Sequence, residues 1–404
     1  MTPLKKLKDI SSYCTDKILK KEITSNEYIS TTNMLADMNG VELATYLPPS
    51  LKLNRYEPED ILIANIRPYF KKIWQADKTG GCDADVLNIR ANKKEVLPEF
   101  LYYALFRNEF FDYIMIGSKG VKMPRGDKDF IMNFEIPVPS FQKQEEIVSK
   151  IKPFFEKIDS NNILISNFED YLQLLFHKWF VDFNFPDENG NPYKDSGGEM
   201  VEVYGKIIPK GWNIKTIKEC TKHIKTGLNP RDNFTLNNGN IKYITVKNLS
   251  TSGAINFDNC DTVDEQAKIL INKRSDVQKG DILFASISPL GRCAIVHEKP
   301  NDWVINESVF SIRPNLNLIT SEFLFLFLTN NQFVRISEHK SAGSIFKGIR
   351  IKTLEDTKLV LPSKNIIDKF QLEINNLLTR QHSCHTENQL LKETRDLLIK
   401  KLIK

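Results

Sequence analysis

The side chains most capable of chemistry lie in a basic, glycine-containing loop that occurs twice. In the first half Lys119, Lys122, Arg125 and Lys128 interleave with Gly117, Gly120 and Gly126; in the second Lys340, Lys347, Arg350 and Lys352 interleave with Gly343 and Gly348. Glycine lets a backbone approach a partner closely, lysine neutralises phosphate, and arginine can pair bidentately with guanine. One such loop is explained as well by a solvated surface. Its recurrence at matching places favours contact with nucleic acid.

A second candidate pair runs from Tyr28 to Met34 and from Tyr243 to Leu249. Each has an aromatic residue followed by hydroxyl, amide or amino side chains, Thr31, Thr32 and Asn33 against Thr245, Lys247 and Asn248. These types can bond to base edges, but the same types cap turns, and the pattern alone does not separate the two roles. The third pair is Asn65 and Arg67 against Ser286 and Ser288, where the polar type changes between copies.

Catalytic signatures are missing from the sequence. It contains no GxxxxGK[ST] phosphate loop, no HExxH and no GxSxG. Asn191-Pro192-Tyr193 is one proline short of an amino-methyltransferase motif, and Pro186-Asp187 lacks a following D/E-x-K for a nuclease metal site. The six histidines stand at no metal-ligand spacing, and the six cysteines form no CxxC pair, so neither a zinc site nor a disulfide framework is expected. We expect a chain that is not an enzyme and holds neither cofactor nor metal of its own.

The elements that must position these loops follow from pattern and bulk composition. With 41% hydrophobic and 26% charged residues and a net charge of +5, the 404-residue chain suits two or three globular domains and permits an acidic polymer as partner. No apolar run is long enough to span a bilayer, and MTPLKKLKDI lacks the apolar core of a signal peptide, so the expected location is the cytoplasm, away from membranes.

Residues 1–140 read as mixed strands and helices, with a strand pair in EDILIANIRPYFKKIW broken near Pro68 and a helix at FLYYALFRNEFFDYI. Residues 141–180 carry a coiled-coil seam: Ile147, Ile151, Phe154, Ile158, Ile165, Phe168, Leu172, Leu175 and Trp179. Asn161 fills the missing seam position, where it either fixes register or is solvated, and Pro153 should kink the helix or end a first short segment.

Residues 181–212 read as a turn-rich connector, after which the pattern restarts. IKTIKEC answers LKKLKDI, KYITVKNLS answers EYISTTNM, KGDILFAS answers PEDILIAN, FLFLFL answers FLYYAL, and KLVLPS answers EIPVPS, at an offset growing from 210 to 223. Residues 213–362 thus repeat 1–140, and 363–404 repeat the long helix, with a polar middle at Gln381, Cys384 and Asn388. The fold class is mixed α/β: two globular domains and two long helices that should pair antiparallel about a pseudo-twofold axis, acting as a spacer.

This plan, the GVKMPRGDK loop, the KGDILFAS strand, and above all WFVDFNFP…GNPYKDSGGEMV…IPKGW, resembles the specificity subunit of type I restriction-modification enzymes. The resemblance covers essentially the whole chain. It implies that each globular domain is a target-recognition domain reading half of a split, asymmetric double-stranded DNA site. It implies that the helices set the gap and dock two methyltransferase subunits, which two restriction subunits join. S-adenosylmethionine, ATP and magnesium would then belong to the partners. A coiled-coil adaptor that never touches DNA, or a nuclease or methyltransferase with a degenerate motif, is the alternative.

Overall fold

The computed structural model describes residues 2–258, 260–341 and 348–404, with backbone alone over 338–341. It divides into two compact units, Met1–Asp159 with Asn388–Lys404, and Ser160–Glu387.

In the first unit the run ILIA is apolar at every position, which suits a strand covered on both faces. Ile61–Ala64 is indeed fully buried and lies inside an antiparallel sheet of order Ser11–Tyr13, Val86–Ala91, Ile61–Ala64, Ile73–Gln75. A second sheet runs Lys17–Leu19, Lys52–Tyr56, Gly80–Cys82, Tyr28–Ile29, its last pair parallel. Gly80 is held to glycine because a Cβ there would stand 2.2 Å from the Glu27 carbonyl oxygen. Helices Pro98–Leu105 and Asn108–Ile116 bury Phe100, Phe110 and Phe111 in one core with Leu7, Ile61 and Ile63.

The second unit repeats the first sheet strand for strand: Thr221–Thr226, Val309–Pro314, Ile282–Ala285, Cys293–Ile295. It also repeats the parallel pair, as Ile241–Ile244 beside Trp303–Ile305. The flanking strands differ. In the first domain Lys52–Tyr56 pairs with the later strand of the parallel pair, whereas in the second Asp261–Val263 pairs with the earlier one and leads into helix Glu265–Ser275. In each domain the opening strand pairs with the closing one, Leu4–Lys6 with Glu135–Pro137 and Asn213–Thr216 with Lys358–Leu361.

The repeated Asp-Ile-Leu motif has a structural cause. Asp60 and Asp281 are buried, and each accepts a two-pronged bond from an arginine on the adjacent strand: Arg90 at 2.6 and 2.8 Å, Arg313 at 2.8 and 3.0 Å. The remaining carboxylate capacity is used in parallel, by the Glu57 N–H and Asn88 amide in one copy and the Gln278 N–H and Ser311 hydroxyl in the other. A buried charge is tolerated only when paired and bonded in this way.

The two long helices are Phe141–Phe180 and Lys364–Leu402. Within the first unit Ile147 and Ile151 share a core with Ile399 and Ile403 while Phe155 meets Arg395; within the second, Asn161 meets Glu387 and Trp179 meets Phe370. In both units the facing segments therefore run antiparallel.

Of the two expectations for Pro153, the helix end does not occur: one helix, Phe141–Phe180, runs through it. Both Pro153 and Ser149, whose carbonyl loses its donor, are exposed, so water meets the freed group. Asn161 is completely buried and donates to Glu387 at 2.8 Å, the behaviour of a register-fixing residue rather than a solvated one. Gln381, Asn388 and Arg395 are also buried, and the Arg395 guanidinium lies over the rings of Phe106 and Phe155 at 4.5 and 4.8 Å. That stacking admits a cation at a seam position that periodicity assigns to an apolar side chain.

The connector is more ordered than a string of turns. Phe185 stacks between Tyr193 and Trp212 at 4.6 and 5.0 Å, and Met200–Val203 forms a hairpin with Lys206–Pro209. Its aromatics join Phe180 and Phe370 in the core of the second unit.

Candidate nucleic-acid interface

The first basic loop is a small closed structure. Gly117 ends helix Asn108–Ile116; Lys119 and Arg125 exchange two backbone hydrogen bonds of 2.9 Å, leaving Val121, Lys122 and Met123 exposed at a tip that turns on Gly120 at φ +95°. Asp127 then caps the short helix Lys128–Ile131.

Two of the four cations are already paired. Lys119 donates to Asp127 at 2.6 Å, and Arg125 contacts Asp85 at 3.0 Å. The first pair raises the lysine's pKa and lowers the carboxyl's through their hydrogen bond. Lys122 and Lys128 are exposed and make no ion pair among the described residues.

The loop is tied to the third candidate group. The Gly126 N–H donates to the Asn65 carbonyl at 3.1 Å, and the Arg67 N–H donates to the Pro124 carbonyl at 2.8 Å. The same junction recurs in the second domain, where the Ile349 N–H donates to the Ser286 carbonyl at 2.7 Å. The bridges Ile66–Arg125 and Ile287–Gly348 set the register. Gly348, not Arg350, is therefore the counterpart of Arg125. Arg350 is exposed and precedes helix Ile351–Glu355, as Asp127 does in the first copy, and Lys352 pairs with Asp356 at 2.9 Å. Lys347 and the side chain of Lys340 lie outside the described residues.

The second candidate group corrects part of the sequence expectation. Asn33 and Asn248 are buried. Each amide oxygen accepts from a backbone N–H three residues earlier, at Ser30 and Thr245, and each amide nitrogen donates to a carbonyl, Tyr28 and Glu42 for one and Asn256 for the other. They recur because they clip the same turn, which leaves nothing of either amide for a base edge. Thr31 and Thr245 are half-buried, and Thr32 is exposed with its hydroxyl 2.6 Å from that of Ser30. Lys247 is exposed beside Asp261.

Of the third group, Ser286 is buried and donates to the Ser308 carbonyl. Ser288 is exposed. Asn65 is buried and Arg67 half-buried, with Asn65 Oδ1 and Arg67 Nε lacking hydrogen-bond partners.

Sequence reasoning missed three recurrent contacts here. Asp83 and Asn306 each accept from the N–H two residues on, at Asp85 and Ser308, whose carbonyls accept in turn from Asn65 and Ser286. Lys72 reaches the Thr31 carbonyl at 2.6 Å, where Arg292 approaches the Val246 carbonyl at 3.4 Å. Tyr69 and Phe70 stand exposed between these features. Extending the repeat alignment through CDADV and INESV is the signal that reaches the first of these.

Among the described residues no cluster of three or more His, Cys, Asp or Glu side chains could hold a metal ion, and no helix is long and apolar enough to cross a membrane.

The comparisons agree with this duplicated layout. The type I restriction modification DNA specificity domain matches twice, at residues 4–168 and 209–393. The specificity subunit of the HindI type I restriction enzyme of Haemophilus influenzae is 24% identical over 368 residues, covering 78% of each chain. That of the MjaIX enzyme of Methanocaldococcus jannaschii is 24% identical over 323 residues, covering 77% of this chain and 69% of its own. The crystal structure of a type I S subunit from M. genitalium shares the fold, with a TM-score of 0.55 at 17% identity over 100% of this chain and 96% of that one. Two matched domains, each with the same strand order in the sheet that carries the Asp-Ile-Leu strand and the same loop junction, place this chain in the family of type I restriction-modification DNA specificity subunits.

Proposed function

We propose that this chain is the non-catalytic DNA reader of a type I complex, each globular domain reading one half of a bipartite, asymmetric double-stranded site. The helix pair sets the spacer and docks two methyltransferase subunits, directing adenine methylation; two restriction subunits join for ATP-dependent cleavage. S-adenosylmethionine, ATP and magnesium serve those partners. In this reading the exposed lysines of the loops supply salt-dependent affinity, and side chains at the two junctions supply base choice.

One observation carries the reading. In both domains a loop with exposed basic side chains is bonded to the strand end that follows the buried aspartate, on a shared backbone frame but with different side chains. A shared frame with different side chains is what two different half-sites require.

The test uses the chain assembled with its cognate methyltransferase subunit on a duplex carrying its motif. Lys122→Ala with Lys128→Ala should weaken binding equally across sequences and lower the slope of log K against log salt by about one per lysine. Unchanged affinity and slope would remove the basic loop from the interface, and an adaptor would show no specific DNA binding at all.

A further inference from the structure

The stretch Asn65 to Lys72 carries a feature that phosphate neutralisation does not use. Pro68–Phe70 forms one turn of 3-10 helix held between two non-glycine residues in the left-handed region, Arg67 at φ 51° and Lys71 at φ 50°. Such residues cost free energy unless the surroundings fix them. Here they are fixed from two sides: the Arg67 N–H is bonded to Pro124, and the Phe70 and Lys71 carbonyls accept from the N–H groups of Asp37 and Met38, both at 2.8 Å.

The turn thus holds two aromatic rings at the surface. Tyr69 is 45% and Phe70 39% exposed, and the rings pack on each other at 4.7 Å. The loop bonded to Arg67 adds exposed Val121 and Met123. An apolar spot this well fixed, flanked by Arg67 and Lys71 and with Lys72 Nζ 5.8 Å from the centre of the Phe70 ring, matches a ligand that is anionic overall and apolar locally.

We propose that Tyr69 and Phe70 read a thymine methyl group in the major groove of the half-site recognised by the first domain. Among the four unmodified bases only thymine presents a methyl group there, and an aromatic or aliphatic contact is how a protein selects it. Rings that are less than half exposed and packed on each other are held against the protein, which suits a groove contact better than a wedge driven between base pairs. In the second domain the corresponding segment, from Ser288 to Gly291, is one residue shorter, has no aromatic residue and buries its one large apolar side chain, Leu290, so this reader belongs to one half-site only.

The inference rests on the DNA-reading function, and the experiment separates the two. With the chain assembled on its methyltransferase partner and its motif mapped, each thymine of the first half-site is replaced by deoxyuridine, which lacks only the methyl group. At one position at least, binding by the unaltered protein should weaken about fourfold. The variant combining Tyr69→Ala with Phe70→Ala should bind thymine and uracil equally at that position and keep its preference in the other half-site. If that variant fails to assemble, Phe70→Leu, which keeps apolar volume at a surface position, decides by a reduced or unchanged discrimination. A first half-site without thymine, indifference of the unaltered protein to uracil, or a rise in 2-aminopurine fluorescence reporting unstacking beside the thymine overturns the inference alone. Absence of any motif overturns the DNA-reading function and this inference with it.

Discussion

The same seat in the two domains holds Asn65-Ile66-Arg67-Pro68-Tyr69-Phe70-Lys71-Lys72 in one and, one residue shorter, Ser286-Ile287-Ser288-Pro289-Leu290-Gly291-Arg292 in the other. The backbone bonds beneath them coincide: the strand end accepts from the basic loop, donates to the Asp85 or Ser308 carbonyl, and closes a strand that begins after a buried aspartate paired with an arginine. What faces outward does not coincide. The first domain shows a half-buried arginine and two aromatic rings, the second an exposed serine and an exposed Ile287. Under the proposed function the difference separates the two tasks of a reading domain: the frame would be set by buried polar pairs and the choice of base by a few side chains that the frame leaves free.

The largest predicted effect tests whether the frames are equivalent. Asp60→Ala and Asp281→Ala should each cost about 3–5 kcal/mol, because each strands an arginine and backbone donors inside. Asp281→Ala should cost the more, since the Arg313 side chain is 22% exposed against 35% for Arg90. Denaturant titration, with hydrogen exchange of Ile61–Ala64 and Ile282–Ala285 to tell the domains apart, measures both. A negligible loss in either domain breaks the equivalence.

A smaller effect sharpens the difference between junctions. Gly126 is the counterpart of Ile349, yet a Cβ at Gly126 would meet Asn65 Oδ1 at 2.8 Å and Ile114 and Ile131 at 2.9 Å. Gly126→Ala should therefore cost about 1–3 kcal/mol by overpacking and should weaken recognition of the first half-site only. Differential scanning calorimetry and binding to single-half-site variants of the duplex check the two parts.

The smallest effect compares the helices. Lys392 of the second helix donates to Asn39 in the first unit. Glu169, which occupies the matching place on the first helix, has Oε1 buried without a hydrogen-bond partner. Burial, with Asp170 nearby, pushes its carboxyl up to about 7. A raised carboxyl means that the folded state holds the proton more tightly than the unfolded one. The stability from Glu169 is thus full below about pH 4.5 and is lost as pH rises through about 7. Glu169→Gln should leave the melting temperature unchanged near pH 4 and raise it near pH 8, by an amount equivalent to up to about 2 kcal/mol after allowance for partial exposure. Equal melting of both proteins at pH 8 would count against a buried carboxylate.

Much of this layout was legible in the sequence because it is written in apolar spacing. The repeat, the buried DIL strands and the seam from Ile147 to Trp179 need only periodicity to be seen. Shifting the first seam by 223 residues places Arg395 in the second, but spacing does not explain a cation there, because the stacking that admits it comes from Phe106 and Phe155, far away in sequence. Asn33 and Asn248 were ambiguous for a different reason: an amide that clips a turn and one that reads a base are the same residue type in the same short motif. The register of the basic loops was hidden because the segments leading to them differ in length, and only the bridges at Ile66 and Ile287 fix Arg125 against Gly348.

The central claim is that two independent readers share one chain, and long-read mapping of modified bases tests it most directly. DNA would be taken from cells expressing this chain with its cognate methyltransferase subunit, alongside a chimaera in which residues 1–140 come from a relative of different sequence preference. The account predicts methyl-adenine at one bipartite, asymmetric motif, of which the chimaera changes one half and keeps the other. Both halves changing together, or no motif although the complex assembles, would contradict it.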